Sequence, residues 1–102
     1  MSITLDNTAQ CLRVSGDLTI DAVPEYLEQS ETLFSQLAAL RIDLSAVSRS
    51  DSAGLALLIR WMREARTSGK DITFEQMPAQ MLAMAEASGL DVILPLQAKS
   101  AS

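Results

Sequence analysis

Apolar and polar positions alternate in short blocks, then recur at helical spacing, and the two rhythms take turns along the chain. Ser2 to Leu5 and Cys11 to Ser15 alternate with a period of two around an Asp6-Asn7-Thr8 turn, which predicts a hairpin whose second strand ends at Gly16-Asp17. From about Val23 to Leu37 the period lengthens, and Leu27, Leu33, Phe34 and Leu37 share one face of a helix. Asp21 is the expected N-cap. Pro24 falls in the first turn, where its missing N–H costs little.

Leu40 to Leu44 reads as a compact strand, followed by a polar loop from Ser45 to Ser50 plugged by Val47. A second helix is predicted from about Ser52 to Thr67, stopping at Ser68-Gly69. Asp71 to Gln76 then forms a strand through Ile72 and Phe74, and Pro78 opens a third helix that ends at Gly89. Val92 to Leu94 is expected to add a short final strand before Pro95. The order ββαβαβα, with an optional last strand, implies an α/β fold. Strand–helix–strand units pair strands in parallel and the opening hairpin adds an antiparallel edge, giving a mixed four- to five-stranded sheet with about three helices. One domain over residues 1–96 and a loose tail over 97–102 account for the 102 residues.

Composition narrows the class of function. A net charge of −5 argues against nucleic acid as a partner and against direct attraction to anionic lipid. Leu55 to Ile59 is far shorter than a membrane span, and the start of the chain lacks a basic, apolar leader, so a cytoplasmic protein without membrane insertion is expected. Cys11 is the single cysteine and reads as a small buried apolar residue. The charge is uneven: from Arg49 to Lys70 there are five basic residues against two acids, whereas Glu25, Glu28 and Glu31 lie on the first helix.

The chain has no histidine, which removes Ser-His-Asp and Cys-His activation together with the commonest metal ligand. No CxxC pair, glycine-rich phosphate loop or dinucleotide fingerprint is present, so nothing implies a cofactor, a metal or catalysis. Attention therefore falls on the segment where the third strand gives way to the second helix. Ser52 can serve as a helix cap, or its hydroxyl can stand at the exposed positive end of the helix dipole. Gly54 inside the first turn costs about 1 kcal/mol against alanine, which suggests close approach of another backbone. Leu55, Leu58, Ile59 and Met62 form the core face of this helix. Leu57 and Trp61 fall to its side and are either further core or anchors for a partner.

The run Ile42-Asp43-Leu44-Ser45 followed by Asp51-Ser52-Ala53-Gly54-Leu55 resembles the STAS domain family. That family includes anti-sigma factor antagonists and the cytoplasmic ends of sulfate transporters, and its fold is called SpoIIAA-like. The resemblance covers about Leu12 to Leu94, including Gly16-Asp17-Leu18-Thr19 and Ser88-Gly89-Leu90. The longer run Ser50 to Leu58 with Trp61 is most similar to STAS subunits of Mla-type phospholipid ABC transporters of Gram-negative bacteria. The resemblance implies docking to the transporter's ATPase subunit within a permease complex, peripheral to the inner membrane, in support of outer-membrane lipid asymmetry. In the anti-sigma antagonists the matching hydroxyl is phosphorylated, which makes Ser52 a phosphorylation candidate as well. The expected partner-binding residues are Arg49, Asp51, Ser52, Gly54, Leu57 and Trp61.

Overall fold

The computed structural model describes residues 2–6 and 11–94. Four strands, β1 (Ser2–Asp6), β2 (Cys11–Leu18), β3 (Ala39–Ser50) and β4 (Asp71–Glu75), form one sheet in the order β1-β2-β3-β4. β1 runs antiparallel to β2, and the β2–β3 and β3–β4 pairs are parallel. The helices α1 (Val23–Phe34) and α2 (Ser52–Thr67) make the two crossovers, and α3 (Ala79–Ala87) follows β4. Successive right-handed crossovers in one direction put α1 and α2 on the same face of the sheet.

That face holds the core. Leu12, Val14, Leu40, Ile42, Leu44 and Phe74 point from the strands into it and are all but inaccessible. The alternate strand positions carry ion pairs instead: Arg13 with Asp43 at 3.4 Å and Arg41 with Glu75 at 2.7 Å. One apolar face and one solvated face is what strict alternation produces. Cys11 lies on the charged side of this alternation yet is buried and unpaired with any other cysteine.

The predicted order of elements holds, with differences in three places: the β2–β3 pair, the first helix and the end of the chain. The expected loop from Ser45 to Ser50 is strand: β3 continues to Ser50, which pairs with Leu18 at the end of β2. Register shifts between Arg13 and Ser15 and between Gly16 and Asp17 each spend an extra residue on β3. These bulges break the alternation by which a strand is read from sequence. Gly16, with φ of 97°, continues β2 where the sequence suggested a stop.

α1 ends at Phe34, short of Leu37, and Ala22 precedes it without a side-chain cap, so Asp21 does not perform the expected capping. The third departure is at the end of the chain. Leu90–Val92 is a single 3₁₀ turn where a strand was expected, entered through Gly89 at φ of 73°. Val92 is 84% exposed and Leu94 is buried in the core. The expected turn at Asn7-Thr8 and the tail from residue 97 lie outside the described residues.

Candidate functional site

Asp51 organises the junction between β3 and α2. Its backbone is extended, with φ of −122° and ψ of −171°, as an N-cap requires. One carboxylate oxygen accepts from the N–H groups of Ala53 at 2.9 Å and Gly54 at 3.3 Å. The other accepts from the N–H of Ile20 at 3.2 Å. The Asp51 N–H in turn donates to the Leu18 carbonyl at 3.2 Å. The start of α2 and the turn leading into α1 are thereby held as one unit.

Capping by Asp51 settles the alternatives for Ser52. It is the first residue of α2 and is exposed, and among the described residues no side-chain hydrogen bond ties its hydroxyl down. The hydroxyl therefore stands exposed at the positive end of a 16-residue helix. Ser50, one residue before the cap, faces inward: its hydroxyl donates to the Asp51 carbonyl at 3.1 Å. Its own carbonyl accepts from the Gln80 side chain of α3 at 3.1 Å.

Gly54 is buried, and the backbone that approaches it belongs to this chain. A Cβ placed there would lie 2.4 Å from the Leu18 carbonyl oxygen and 2.5 Å from the Ser50 hydroxyl. The glycine lets α2 start hard against the ends of β2 and β3, which is the close backbone approach that its place in the first turn suggested. Arg49 lies at the rim of the junction, exposed, and reaches Asp17 at 3.2 Å.

Of the two alternatives for Leu57 and Trp61, further core or partner anchor, their burial favours the core. Leu57 is 2% exposed and Trp61 is fully buried. The Trp61 indole N–H donates to the Ser30 hydroxyl of α1 at 3.0 Å, and that hydroxyl donates to the Leu27 carbonyl at 3.0 Å. The indole also packs at an angle on Phe34, with ring centroids 5.6 Å apart. The broad apolar arc of α2 exists because α1 covers its flank as well as the sheet covering its base.

The exposed apolar surface lies elsewhere. A groove of about 340 Å³ runs beside Ser52, formed by Ile20, Val23, Pro24 and Leu27 on one side and Ala53 and Ala56 on the other. Ile20 is 67% exposed and stands at its mouth. The signal for Ile20 was present in the sequence as a lone apolar residue between Thr19 and Asp21. Gln80 had no such signal, because only the packing of α3 brings it to Ser50. Among the described residues, no group of three or more His, Cys, Asp or Glu side chains could hold a metal ion. No helix there is long and apolar enough to cross a membrane.

A family model described as "Mlab, STAS domain" matches residues 1–96. The intermembrane phospholipid transport system binding protein MlaB of Escherichia coli (strain K12) is 30% identical over 95 residues, spanning 92% of this chain and 96% of that protein. The anti-sigma-B factor antagonist of Bacillus subtilis (strain 168) is 27% identical over 89 residues, spanning 87% of this chain and 82% of its own length. Among solved structures, the anti-sigma factor antagonist SpoIIAA in its unphosphorylated form superimposes with a TM-score of 0.70 at 18% identity, over 96% of this chain and 90% of that one. At that identity the likeness speaks for the fold.

Proposed function

Since the chain belongs to the STAS domain family, we propose that it is a non-catalytic cytoplasmic subunit that binds and supports the ATPase of an Mla-type phospholipid ABC transporter. In this reading it is held at the inner membrane through that MlaF-like partner and serves the maintenance of outer-membrane lipid asymmetry. The observation that carries the reading is the exposed Ser52 hydroxyl, next to the hydrogen-bonded Asp51 cap and beside an apolar groove. A small polar contact next to an apolar pocket suits protein docking. End-to-end similarity to MlaB supports the choice of partner. Arg49 adds a charge at the rim of the surface, where it would steer association more than it would strengthen it.

A second reading is favoured by the same hydroxyl. Similarity to the anti-sigma-B factor antagonist is of the same order, and an exposed serine at a helix start is accessible to a kinase. A phosphate there would carry close to two negative charges beside Asp51 and so oppose docking by charge and bulk. Affinity purification of the tagged chain from its native host separates the two. Stoichiometric recovery of an ABC ATPase with its permease supports the first. Recovery of a kinase that transfers phosphate to Ser52 supports the second and contradicts the first.

A further inference from the structure

Two hydrogen bonds at the β3–α2 junction end on the same peptide group. The Ser50 carbonyl accepts from the Gln80 side chain at 3.1 Å, and the Asp51 N–H donates to the Leu18 carbonyl at 3.2 Å. These are the two ends of one planar unit, held by α3 on one side and by β2 on the other. A carbonyl oxygen can only accept, so it is the amide nitrogen of Gln80 that faces it. The need for a donor there comes from the sheet. β4 pairs with β3 only as far as Asp43, opposite Glu75, and β3 runs on to Ser50 without β4 beside it. Gln80 thus stands in for a ladder partner at the last carbonyl of the strand. The helix that carries it is anchored by the buried Met81 and Ala85, and its amide also meets the Met84 sulfur at 3.6 Å.

We infer that Gln80 is a positioning residue for the Ser52 surface, acting through the Ser50–Asp51 peptide. That peptide can tilt only by rotation at Ser50 ψ and Asp51 φ, and the second angle sets where the Asp51 side chain points. Its aim matters, because the carboxylate serves the N–H groups of Ala53, Gly54 and Ile20 at 2.9, 3.3 and 3.2 Å. Without Gln80, β2 grips the N–H end alone and the carbonyl end is released to water. The cap then loosens, and Ser52, the residue next to it, loses its fixed orientation. The inference rests on the proposed docking role of Ser52. It extends the docking frame to α3, an element that does not line the groove beside Ile20.

Gln80 is exposed, so its replacement leaves the core intact. Gln80→Met keeps length and helix propensity but removes the donor, and Gln80→Lys restores a donor on a longer stem. Amide exchange at Asp51, Ala53 and Gly54 is measured on the free chain, together with the thermal midpoint and the affinity for the cognate ABC ATPase. Exchange at the three amides should be roughly tenfold faster in Gln80→Met and return toward wild type in Gln80→Lys, with little change in the thermal midpoint. Affinity should fall by roughly fivefold in Gln80→Met and recover in Gln80→Lys. On a Ser52→Ala background, Gln80→Met should cost little further affinity, since the hydroxyl it aims is gone. Unchanged exchange in Gln80→Met overturns the inference, and an equal affinity loss in both backgrounds would then make Gln80 a direct partner contact. Faster exchange with undiminished binding overturns it too and leaves the partnership standing. If the wild-type chain does not bind the ATPase, the partnership fails, whereas faster exchange in Gln80→Met still establishes that Gln80 holds the frame of Ser52.

Discussion

The carboxylate of Asp51 accepts a hydrogen bond from the backbone N–H of Ile20 at 3.2 Å while its other oxygen caps α2. One side chain thus fixes both the orientation of Ser52 and the position of the most exposed apolar residue beside it.

Asp51→Ala removes the cap and the Ile20 link together and should cost about 1–2 kcal/mol in urea unfolding. Asp51→Asn should cost less, because its amide oxygen can still accept from Ala53 while its NH₂ cannot accept from Ile20. Amide exchange at Ile20 should therefore speed up in both variants. Slow exchange at Ile20 in Asp51→Asn would show that the turn is held by something else.

Gly54→Ala should be destabilising, although alanine is the better helix former by about 1 kcal/mol. The added methyl meets the Leu18 carbonyl and the Ser50 hydroxyl at 2.4 and 2.5 Å, and forcing β2 away from α2 should cost about 1–3 kcal/mol. A thermal transition at or above that of the wild type would contradict the close approach.

Trp61→Ala should cost about 3–5 kcal/mol, since it empties a fully buried indole site. Ser30→Ala leaves the indole N–H buried without its acceptor and should cost about 1–3 kcal/mol. Adding Trp61→Phe to Ser30→Ala removes the orphaned donor, so the double variant should lose less than the two single losses combined. Simple additivity in chemical unfolding would rule out the hydrogen bond as a contributor.

Tyr26 is completely buried and its hydroxyl donates to the Ser15 carbonyl at 2.6 Å. Burial, with Asp17 and Glu25 adding repulsion, raises its pKa above the ordinary 10. The folded state thus holds the proton more tightly than the unfolded chain. The contribution is complete below pH 10 and is lost as pH rises from there through the folded value. Tyr26→Phe should flatten that alkaline loss of stability. Asp43 gives the opposite limb. Partial burial pushes its carboxyl up, but hydrogen bonds from Ser45 and Arg13 and the charge of Arg13 outweigh it and hold the pKa below 3.8. Its stabilising effect is present above that value and lost as pH falls through the lower folded one. Asp43→Asn should reduce acid sensitivity, as read from urea midpoints below pH 4.

The element order and most of the core were legible because the periods of two and three-to-four residues are strong wherever one face is buried. The second helix was read with both ends correct, since Asp51 and Ser68-Gly69 are local signals. The second half of β3 was not legible: two bulges move Ser45 and Ser48 out of the alternating pattern, and only pairing with β2 identifies the segment as strand. The roles of Gly54, Leu57 and Trp61 were legible only in part, as a close backbone approach of unknown origin and as a choice between core and anchor. A helical wheel shows which side a residue is on but not that α1 covers the flank or that Leu18 presses on the first turn. For Ser52 the sequence left cap and exposed hydroxyl open, and the choice falls to the second because Asp51, not Ser52, is the N-cap.

In the proposed function Ser52 is a docking contact and carries no part of the fold. The most direct test is to measure, on the same preparations of wild type and Ser52→Glu, the affinity for the cognate ABC ATPase and the thermal midpoint. An acid at the first position of α2 favours the helix dipole, so stability should be unchanged or slightly higher, by about 0.3–1 kcal/mol. Affinity should fall by roughly a hundredfold, as for a charge set into a packed contact. Undiminished binding by a folded Ser52→Glu, or unfolding of the domain by that change, would contradict the account.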